Sequence, residues 1–250
     1  KIPFDMSRMT ALWPEDGKSP EVLALEAQVE EMKPKYVFTA EAGITYQEGN
    51  TNQLVARGKV VFTRTTKDDL LTVFLSGDYA EQNEVRSAAE VKTGFLYELN
   101  FTERAFWYLR ADAEYDEFEN LEFRGQAFTG LGYYFIKKPK HELKTRAGIG
   151  FIHETFFDGF TRTDPQAEVG LDYRIDINES LQFVSSNTWL PTFNSLRDYR
   201  LISDNAFIIP LAQKQWKLKL GALYEYDPIP RPGFQRLDQT YYANILVEIK

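Results

Sequence analysis

The stretch RAFWYLRADAEYD, residues 104–116, decides the fold because its side chains alternate between two unlike faces. One face is apolar with an aromatic ring near each end, and the other carries Arg110, Asp112 and Glu114. A repeat of two residues is the period of a β-strand. In a strand that crosses a lipid bilayer, apolar side chains face the lipid and polar ones face the lumen of a closed barrel. The stretch therefore predicts a membrane-spanning strand.

The same alternation begins at Tyr36 and predicts about twelve strands. They cover residues 36–47, 53–65, 69–81, 86–98, 104–116, 121–134, 141–153, 165–176, 180–190, 197–209, 214–226 and 237–249. Most are about twice as long as the strands of soluble sheets, a length that a tilted strand needs to cross a bilayer. Short turn sequences separate them. The sequence thus predicts an all-β fold, an up-and-down antiparallel transmembrane β-barrel.

A different pattern precedes the strands. Ser19 suits the N-cap of a helix and Pro34 its stop, so the sequence predicts a short helix over residues 20–33. The chain then divides into an N-terminal arm with an amphipathic helix, residues 1–35, and an outer-membrane barrel, residues 36–250. The helix has one apolar stripe, formed by Val22, Leu25, Val29 and Met32. We expect the stripe to pack on the mouth of the barrel, with docking to a partner protein as the alternative.

The composition of the 250 residues excludes several classes of protein. No run reaches the roughly 18 to 20 apolar residues of a membrane helix. The chain has no cysteine, which excludes disulfides and thiolate metal sites, and we expect no metal or other cofactor. Its formal net charge is -8 and no basic stripe is present, so we expect no nucleic-acid partner. The partner that the pattern predicts is the lipid of a bacterial outer membrane.

The inward faces of the predicted strands carry cations and anions in near balance. Eleven cationic and nine anionic residues lie on them. Ion pairs cross such a lumen and leave no strong field of one sign, so we expect a narrow or obstructed bore with weak ion selectivity. The candidate lumen-lining charges are Arg57, Lys59, Arg110, Asp112, Glu114, Arg146 and Arg174.

One polar cluster falls on the face that is predicted to meet lipid. It consists of Ser185, Asn187, Ser203 and Asn205. A hairpin that turns near Asn194 places Ser185 opposite Ser203. Polar groups that face hydrocarbon are costly without partners, so we expect this patch to contact another protein chain or a second copy, with the 20–33 helix as the alternative contact surface. The alternatives are a local bulge, or hydrogen bonds that satisfy the four residues across the hairpin.

The even number of strands places both chain ends on one side of the membrane, which is the periplasm in bacterial outer-membrane barrels. The sequence then predicts short periplasmic turns and longer external loops. The two longest predicted connections, residues 154–164 and 227–237, both fall in the external set. Loop length and strand number therefore agree on the same orientation.

Two short motifs carry a resemblance to a known family. They are AGITYQEGNTN at residues 42–52 and LRDYRL at residues 196–201. The first looks like the Gly-Asn-Thr hairpin of the YdiY-like salt-induced outer-membrane proteins, and the second is similar to that family's Asp-Tyr-Arg segment before a late strand. The family is also described as domain of unknown function 481, and the resemblance covers residues 36–250. It implies an outer-membrane barrel and implies no activity.

These patterns favour a structural, stress-related or porin-like barrel, alone or as a subunit of an envelope complex, with no catalytic residue. One alternative is an outer-membrane hydrolase, which needs a base beside a nucleophile. His141 and His153 lie at opposite ends of one predicted strand, about 40 Å apart at the rise of a strand, so they cannot share a site. His153, near Glu154 and Asp158, is the better candidate. The other alternative is a soluble β-protein that binds an apolar ligand.

Overall fold

The computed structural model describes residues 17–48, 53–82, 85–213, 215–230 and 234–249. Across these residues the chain forms one helix followed by twelve strands. They are α1 (Pro20–Met32), β1 (Lys35–Glu48), β2 (Gln53–Thr65), β3 (Asp69–Gln82), β4 (Val85–Asn100), β5 (Ala105–Asp116), β6 (Leu121–Lys138), β7 (His141–Phe156), β8 (Thr161–Asn178), β9 (Leu181–Pro191), β10 (Tyr199–Pro210), β11 (Trp216–Tyr226) and β12 (Leu237–Ile249). The predicted strand bounds lie within a few residues of these.

The twelve strands close into one barrel in which each strand pairs with its neighbours in sequence. β1 also pairs with β12 in antiparallel fashion, from Phe38 opposite Ile249 to Glu48 opposite Gln239. Closure removes the free sheet edges that would otherwise expose unpaired backbone groups to lipid. The predicted up-and-down antiparallel transmembrane barrel with a short N-terminal helix is therefore confirmed.

Side chains point outward or inward as the alternation predicts. On the outer surface, Leu131 is 60% exposed and Ile149 is 63% exposed, whereas the inward-facing Tyr108 and Glu168 are fully buried. An apolar exterior of this extent on a closed barrel is stable when lipid covers it. The same orientation excludes the alternative of a soluble β-protein with an apolar interior, because charged side chains occupy the inside.

The two ends of the barrel differ in the length of their connections. At the terminal end, which carries the start of β1, the turns have two to five residues. The opposite loop end carries the two longest connections, residues 192–198 and 227–236. The long connection predicted at 154–164 is wrong, because β7 continues to Phe156 and β8 already begins at Thr161. Ladder hydrogen bonds extend this hairpin beyond the segment that the sequence pattern marks.

Helix α1 begins and ends close to where the sequence predicts. Ser19 caps it, since its Oγ accepts a hydrogen bond from the Val22 backbone N–H at 3.2 Å. The helix ends at Met32, just before Pro34. Within the described ranges, no helix has the length and apolar character needed to span a membrane. Residues 1–16 of the predicted arm lie outside the described residues.

The apolar stripe of α1 is exposed. Val22, Leu25 and Val29 are 42%, 60% and 46% exposed, and the side chain of the fourth stripe residue lies outside the described part. The prediction that the stripe packs on the barrel mouth is therefore wrong. Ion pairs line the terminal end of the lumen, such as Lys217 Nζ with Glu248 Oε2 at 2.5 Å, and they offer an apolar stripe no matching surface.

Candidate functional site

The lumen of the barrel is the candidate functional site, and one half of it is filled. In this packed half, formed by the inner faces of β5 to β9, large side chains press against glycines. A Cβ at Gly132 would collide with the ring of Phe106, and one at Gly148 with the hydroxyl group of Tyr108. Glycine at these positions therefore makes room for rings inside the barrel. The buried cluster consists of Phe106, Tyr108, Phe128, Tyr134 and Leu190.

A buried carboxylate organises the packed half. Glu168 on β8 is fully buried. It accepts hydrogen bonds from Tyr108 Oη at 2.9 Å, Arg110 Nη1 at 2.6 Å and Arg146 Nε at 3.0 Å. Arg146 also donates to Thr188 Oγ1 at 3.1 Å. A carboxylate removed from water needs such charge-assisted bonds, and here they join β5, β7, β8 and β9 inside the barrel.

The opposite half of the lumen, towards β1 to β3 and β10 to β12, is open, and side chains of β4, β5, β6 and β9 face it from the other side. It borders a cavity of about 350 Å³, which we name the lumen chamber. Among its lining residues, Arg57 Nε donates to Asp78 Oδ1 at 2.8 Å, and Lys219 Nζ lies 3.4 Å from Glu41 Oε2. These contacts run along the wall and leave the cavity free. A polar cavity of this size has room for water or a small solute.

On the loop-end side of the lumen chamber, a layer of charged side chains crosses the lumen. This ion-pair layer consists of Lys92, Glu114, Arg124, Arg200 and Glu225. The nitrogen–oxygen distance is 3.5 Å between Glu114 of β5 and Arg200 of β10, and 3.8 Å between Lys92 of β4 and Glu225 of β11. In each pair the strands are five apart around the barrel, so both contacts span the lumen. Arg124 contacts Glu114 at 2.8 Å, and Arg200 contacts Glu225 at 2.9 Å.

A second cavity, of about 340 Å³, lies beyond the ion-pair layer at the loop end. We name it the mouth cavity. Its aromatic lining includes Phe156, Phe160, Tyr226 and Phe234. Arg124, Arg200 and Glu225 line both the mouth cavity and the lumen chamber. The ion-pair layer is therefore the partition between the two cavities.

Two acidic groups in the loops of the loop end have raised pKa values, and one of them, Glu119, lines the mouth cavity. Burial raises the pKa of Glu119, in the turn between β5 and β6, to about 7, although the nearby Arg124 acts in the opposite direction. Burial also raises the pKa of Asp198, in the connection between β9 and β10, and Arg162 opposes this shift. The charge at the mouth therefore changes near neutral pH through Glu119.

The structure separates the seven predicted lumen charges into three locations. Five line the lumen chamber: Arg57, Lys59, Arg110, Asp112 and Glu114. Arg146 is only 7% exposed and is held in the packed half by Glu168. Arg174 lies near the terminal end, where its Nη1 donates to the Pro139 carbonyl at 3.0 Å. The chamber therefore brings together five of the seven predicted charges. Of the other two, Arg146 lies in the packed half and Arg174 at the terminal end.

The sequence prediction singles out one member of the ion-pair layer, Glu114, and not the other four, which are Lys92, Arg124, Arg200 and Glu225. The strand register offers a signal for Arg124, which lies directly opposite Glu114 on the neighbouring strand. No local pattern points to Arg200, because it is 86 residues from Glu114 and meets it only across the lumen. Contacts of this kind depend on how the barrel closes.

The polar cluster on the outer surface forms a closed ring of hydrogen bonds. Ser185 Oγ donates to Asn205 Oδ1 at 2.7 Å, and Asn205 Nδ2 donates to Ser203 Oγ at 2.9 Å. Ser203 Oγ donates to Asn187 Oδ1 at 2.6 Å, and Asn187 Nδ2 donates to Ser185 Oγ at 2.9 Å. The predicted register is wrong, because Ser185 lies opposite Asn205 and the hairpin is centred one residue later. The four residues satisfy one another, and their contact with another chain stays a prediction.

His153 lies on the outer surface between two threonines. Its Nδ1 is 2.7 Å from Thr163 Oγ1, and its Nε2 is 3.5 Å from Thr155 Oγ1. Glu154 points to the opposite side, into the lumen, where Arg124 Nε donates to it at 2.6 Å. The predicted grouping of His153 with Glu154 is therefore wrong, since neighbours in a strand face opposite ways. Among the described residues, no group of three or more His, Asp or Glu side chains has metal-site geometry.

A comparison with protein families agrees with this architecture. The model of the family described as protein of unknown function, DUF481, matches residues 40–249. The chain belongs to the DUF481 family. The family resemblance read from the two short motifs is thus confirmed, and the salt-induced name stays a prediction. No curated protein sequence matches this DUF481 chain.

Solved structures of other barrels are similar to the DUF481 chain in fold. The NanC porin aligns with a TM-score of 0.59 and 8% identity over 84% of this chain and 100% of its own. The translocator domain of the autotransporter NalP from Neisseria meningitidis aligns with a TM-score of 0.49 and 8% identity, over 91% and 94%. The KdgM porin aligns with a TM-score of 0.47 and 8% identity, over 85% and 99%. At this level of identity the likeness to NanC shows the barrel fold alone.

Proposed function

We propose that this DUF481 protein is an outer-membrane barrel with a porin-like role, in which the ion-pair layer restricts the passage of small solutes. One observation carries the proposal. The lumen chamber and the mouth cavity lie on the two sides of a single layer of side chains, and Arg124, Arg200 and Glu225 line both. A solute that passes this layer moves from one cavity directly into the other.

Side chains of this type can open a path while the barrel stays folded. Arginine and lysine side chains rotate about several single bonds, so their charged ends can move away from the lumen axis while the strands stay in place. The contacts that span the lumen are the long ones, at 3.5 Å for Glu114 with Arg200 and 3.8 Å for Lys92 with Glu225. These long contacts are weaker than the short bonds along the wall, so they should break first and open a path at the lumen axis.

Planar-bilayer recordings of the purified protein test this role. The wild-type protein should give small currents, and Arg200→Ala should give larger ones, because the variant removes a side chain that crosses the lumen. Glu114 keeps its contact with Arg124, and Glu225 keeps its contact with Lys92, so neither carboxylate loses every partner. The variant should therefore remain folded.

Arg174→Ala is the matched control for the recordings. It removes the same type of side chain from the terminal end, outside both cavities, and should leave the current unchanged. If neither the wild-type protein nor Arg200→Ala conducts in any reconstitution, the porin-like role is excluded. A structural or stress-related role then replaces it.

We further propose that both chain ends lie in the periplasm, because the terminal end carries the short turns typical of that side. The chain has no cysteine, so single engineered cysteines report the orientation. Asp158→Cys, at the loop end, should react with a membrane-impermeant maleimide on intact cells. Lys67→Cys, in the turn between β2 and β3, should react only after lysis. The reverse pattern would invert the orientation.

A second candidate function, hydrolysis of a lipid ester at the outer surface, is favoured by the contacts of His153. A base that lies between a hydroxyl group and an orienting group is the arrangement of nucleophilic catalysis, and Thr155 and Thr163 occupy these positions. Thr163 lacks the negative charge that stabilises an imidazolium ion, so we propose that the protein is not an enzyme. Phospholipid hydrolysis that is lost in His153→Ala would establish the enzyme instead.

A further inference from the structure

Among the described residues, one cation that lines the lumen chamber has no carboxylate partner. Lys59 on β2 lines the chamber, and its Nζ is 5.4 Å from the centre of the Phe74 ring. Within the described residues, no carboxylate lies within ion-pair distance of Lys59 and no acceptor takes a hydrogen bond from it. The charged groups that act on it are Arg57 on its own strand, Glu41 on the neighbouring β1, and Asp204 and Lys219 on the more distant β10 and β11.

The two carboxylates that act on Lys59 are engaged by other groups. Glu41 Oε2 accepts from Lys219 Nζ at 3.4 Å and from Asn244 Nδ2 at 3.3 Å. Asp204 Oδ1 accepts from the Tyr242 hydroxyl group at 2.5 Å. Each of the other cations that line the chamber has a carboxylate partner: Arg57, Lys92, Arg110, Arg124, Arg200 and Lys219. Among the described lining cations, Lys59 is thus the one whose three N–H groups are available to donate hydrogen bonds to a solute.

The lining of the chamber has an excess of positive charge. Over the described residues, seven cationic side chains and five carboxylates line it. A polar cavity with unbalanced positive charge and low-dielectric walls attracts anions. Hydroxyl and amide groups also reach the chamber, from Ser76, Ser186, Thr188, Tyr242 and Asn244. These groups suit the hydroxyl groups of a solute, because they can both donate and accept hydrogen bonds.

We propose that the lumen chamber binds a small organic anion that carries one carboxylate and several hydroxyl groups. Lys59 donates hydrogen bonds to the carboxylate, and the polar side chains around the chamber bind the hydroxyl groups. The chamber volume of about 350 Å³ is within the range of small-molecule sites. This inference rests on the proposed porin-like role, since the solute reaches the chamber through the lumen, and it names the class of solute.

Thermal unfolding of the full chain in detergent micelles, with gluconate as the probe, tests the site. At constant ionic strength, gluconate should raise the Tm, acetate should raise it less, and sorbitol, which is neutral, should leave it unchanged. Lys59→Gln should weaken gluconate binding about tenfold or more, because a hydrogen bond to a charged group is lost. Lys59→Arg should retain the binding, since it keeps the charge and the donors.

Lys67→Gln is the matched control, because it removes the same charge from the exposed turn between β2 and β3. It should bind gluconate as the wild-type protein does. Heat-modifiable gel migration reports whether Lys59→Gln is folded. Lys59→Met is a second uncharged variant, to be used if Lys59→Gln does not fold. Unchanged gluconate stabilisation in a folded variant of Lys59 without charge would overturn the site. Equal stabilisation by sorbitol, or by acetate, would overturn the class of solute.

The binding measurement needs no membrane current, so it separates the two proposals. Gluconate binding without conductance keeps the chamber site and removes the porin-like role. Conductance without gluconate binding removes the chamber site and keeps the porin-like role. In the conducting case, gluconate should also reduce the current of the wild-type protein and leave that of Lys59→Gln unchanged.

Discussion

The two halves of the lumen differ in how completely side chains fill them. Side chains just fill a barrel of eight strands, and a barrel of twelve is too wide to be filled evenly. In the packed half, glycines admit the rings of Phe106 and Tyr108, and Glu168 joins three side chains around itself. In the open half, the charged side chains pair along the wall and leave the lumen chamber. One wall of the barrel thus supplies stability, and the other supplies space for a solute.

The largest difference between the halves should appear when a carboxylate is neutralised. Glu168→Gln, in the packed half, should lower the free energy of unfolding by about 3 kcal/mol, because a fully buried carboxylate loses its charge and its hydrogen bonds from Tyr108, Arg110 and Arg146 become weaker. Glu41→Gln, at the chamber, should cost about 1 kcal/mol or less, since its contacts are 3.3 and 3.4 Å long and border a cavity. Urea unfolding in micelles measures both. Equal costs would contradict the division into two halves.

A methyl group added to the packed half should have a smaller effect. Gly132→Ala should lower the free energy of unfolding by about 1 to 3 kcal/mol, because its Cβ displaces the buried ring of Phe106. Gly58→Ala, on β2, is the matched control, since a Cβ there meets no atom within contact distance. It should change the stability by less than about 0.5 kcal/mol in the same urea titration. A tolerated Gly132→Ala would show that the ring can move and that the half is loosely packed.

The last expected effect concerns the pH dependence of stability at the mouth of the barrel. The pKa of Glu119 is about 7 in the folded protein, above its usual 4.5, because burial disfavours the charged form. The folded state therefore holds this proton more tightly, so the stability it contributes is complete below pH 4.5 and is lost as the pH rises through about 7. Unfolding measured at pH 5 and pH 8 should show a fall in stability that is smaller in Glu119→Gln. Identical falls would assign the pH dependence to other groups.

Much of the fold could be predicted because its signals are local. The alternation of apolar and polar residues recurs every two positions, so each strand can be recognised without its neighbours, as in residues 104–116. The N-cap at Ser19 is equally local. The prediction that the α1 stripe packs on the barrel mouth is wrong, because that packing depends on which side chains the mouth presents. The predicted register at Ser185 is wrong, because a shift of one residue in the centre of a hairpin changes the partner of every residue in its two strands.

The candidate site could be predicted in composition but not in arrangement. The inward faces identified the charges, and five of the seven singled out line the lumen chamber. The prediction did not distinguish Arg146, which Glu168 holds in the wall, from Lys59, which has no carboxylate partner among the described residues. Both are inward cations on strands with the same pattern. Their difference arises from glycines and acids on other strands, which place Glu168 beside one and no free carboxylate beside the other.

The amino-acid sequence by itself determined the number of strands, their direction and which side of each strand faces lipid, because backbone geometry and the hydrophobic effect act on neighbours in the chain. Only the tertiary structure decided which half of the lumen is filled and where the ion-pair layer closes it. Glu114 and Arg200 are 86 residues apart and meet only because the barrel brings β5 and β10 face to face. The strength of such a contact depends on distance and solvation, and both are set by the closed barrel.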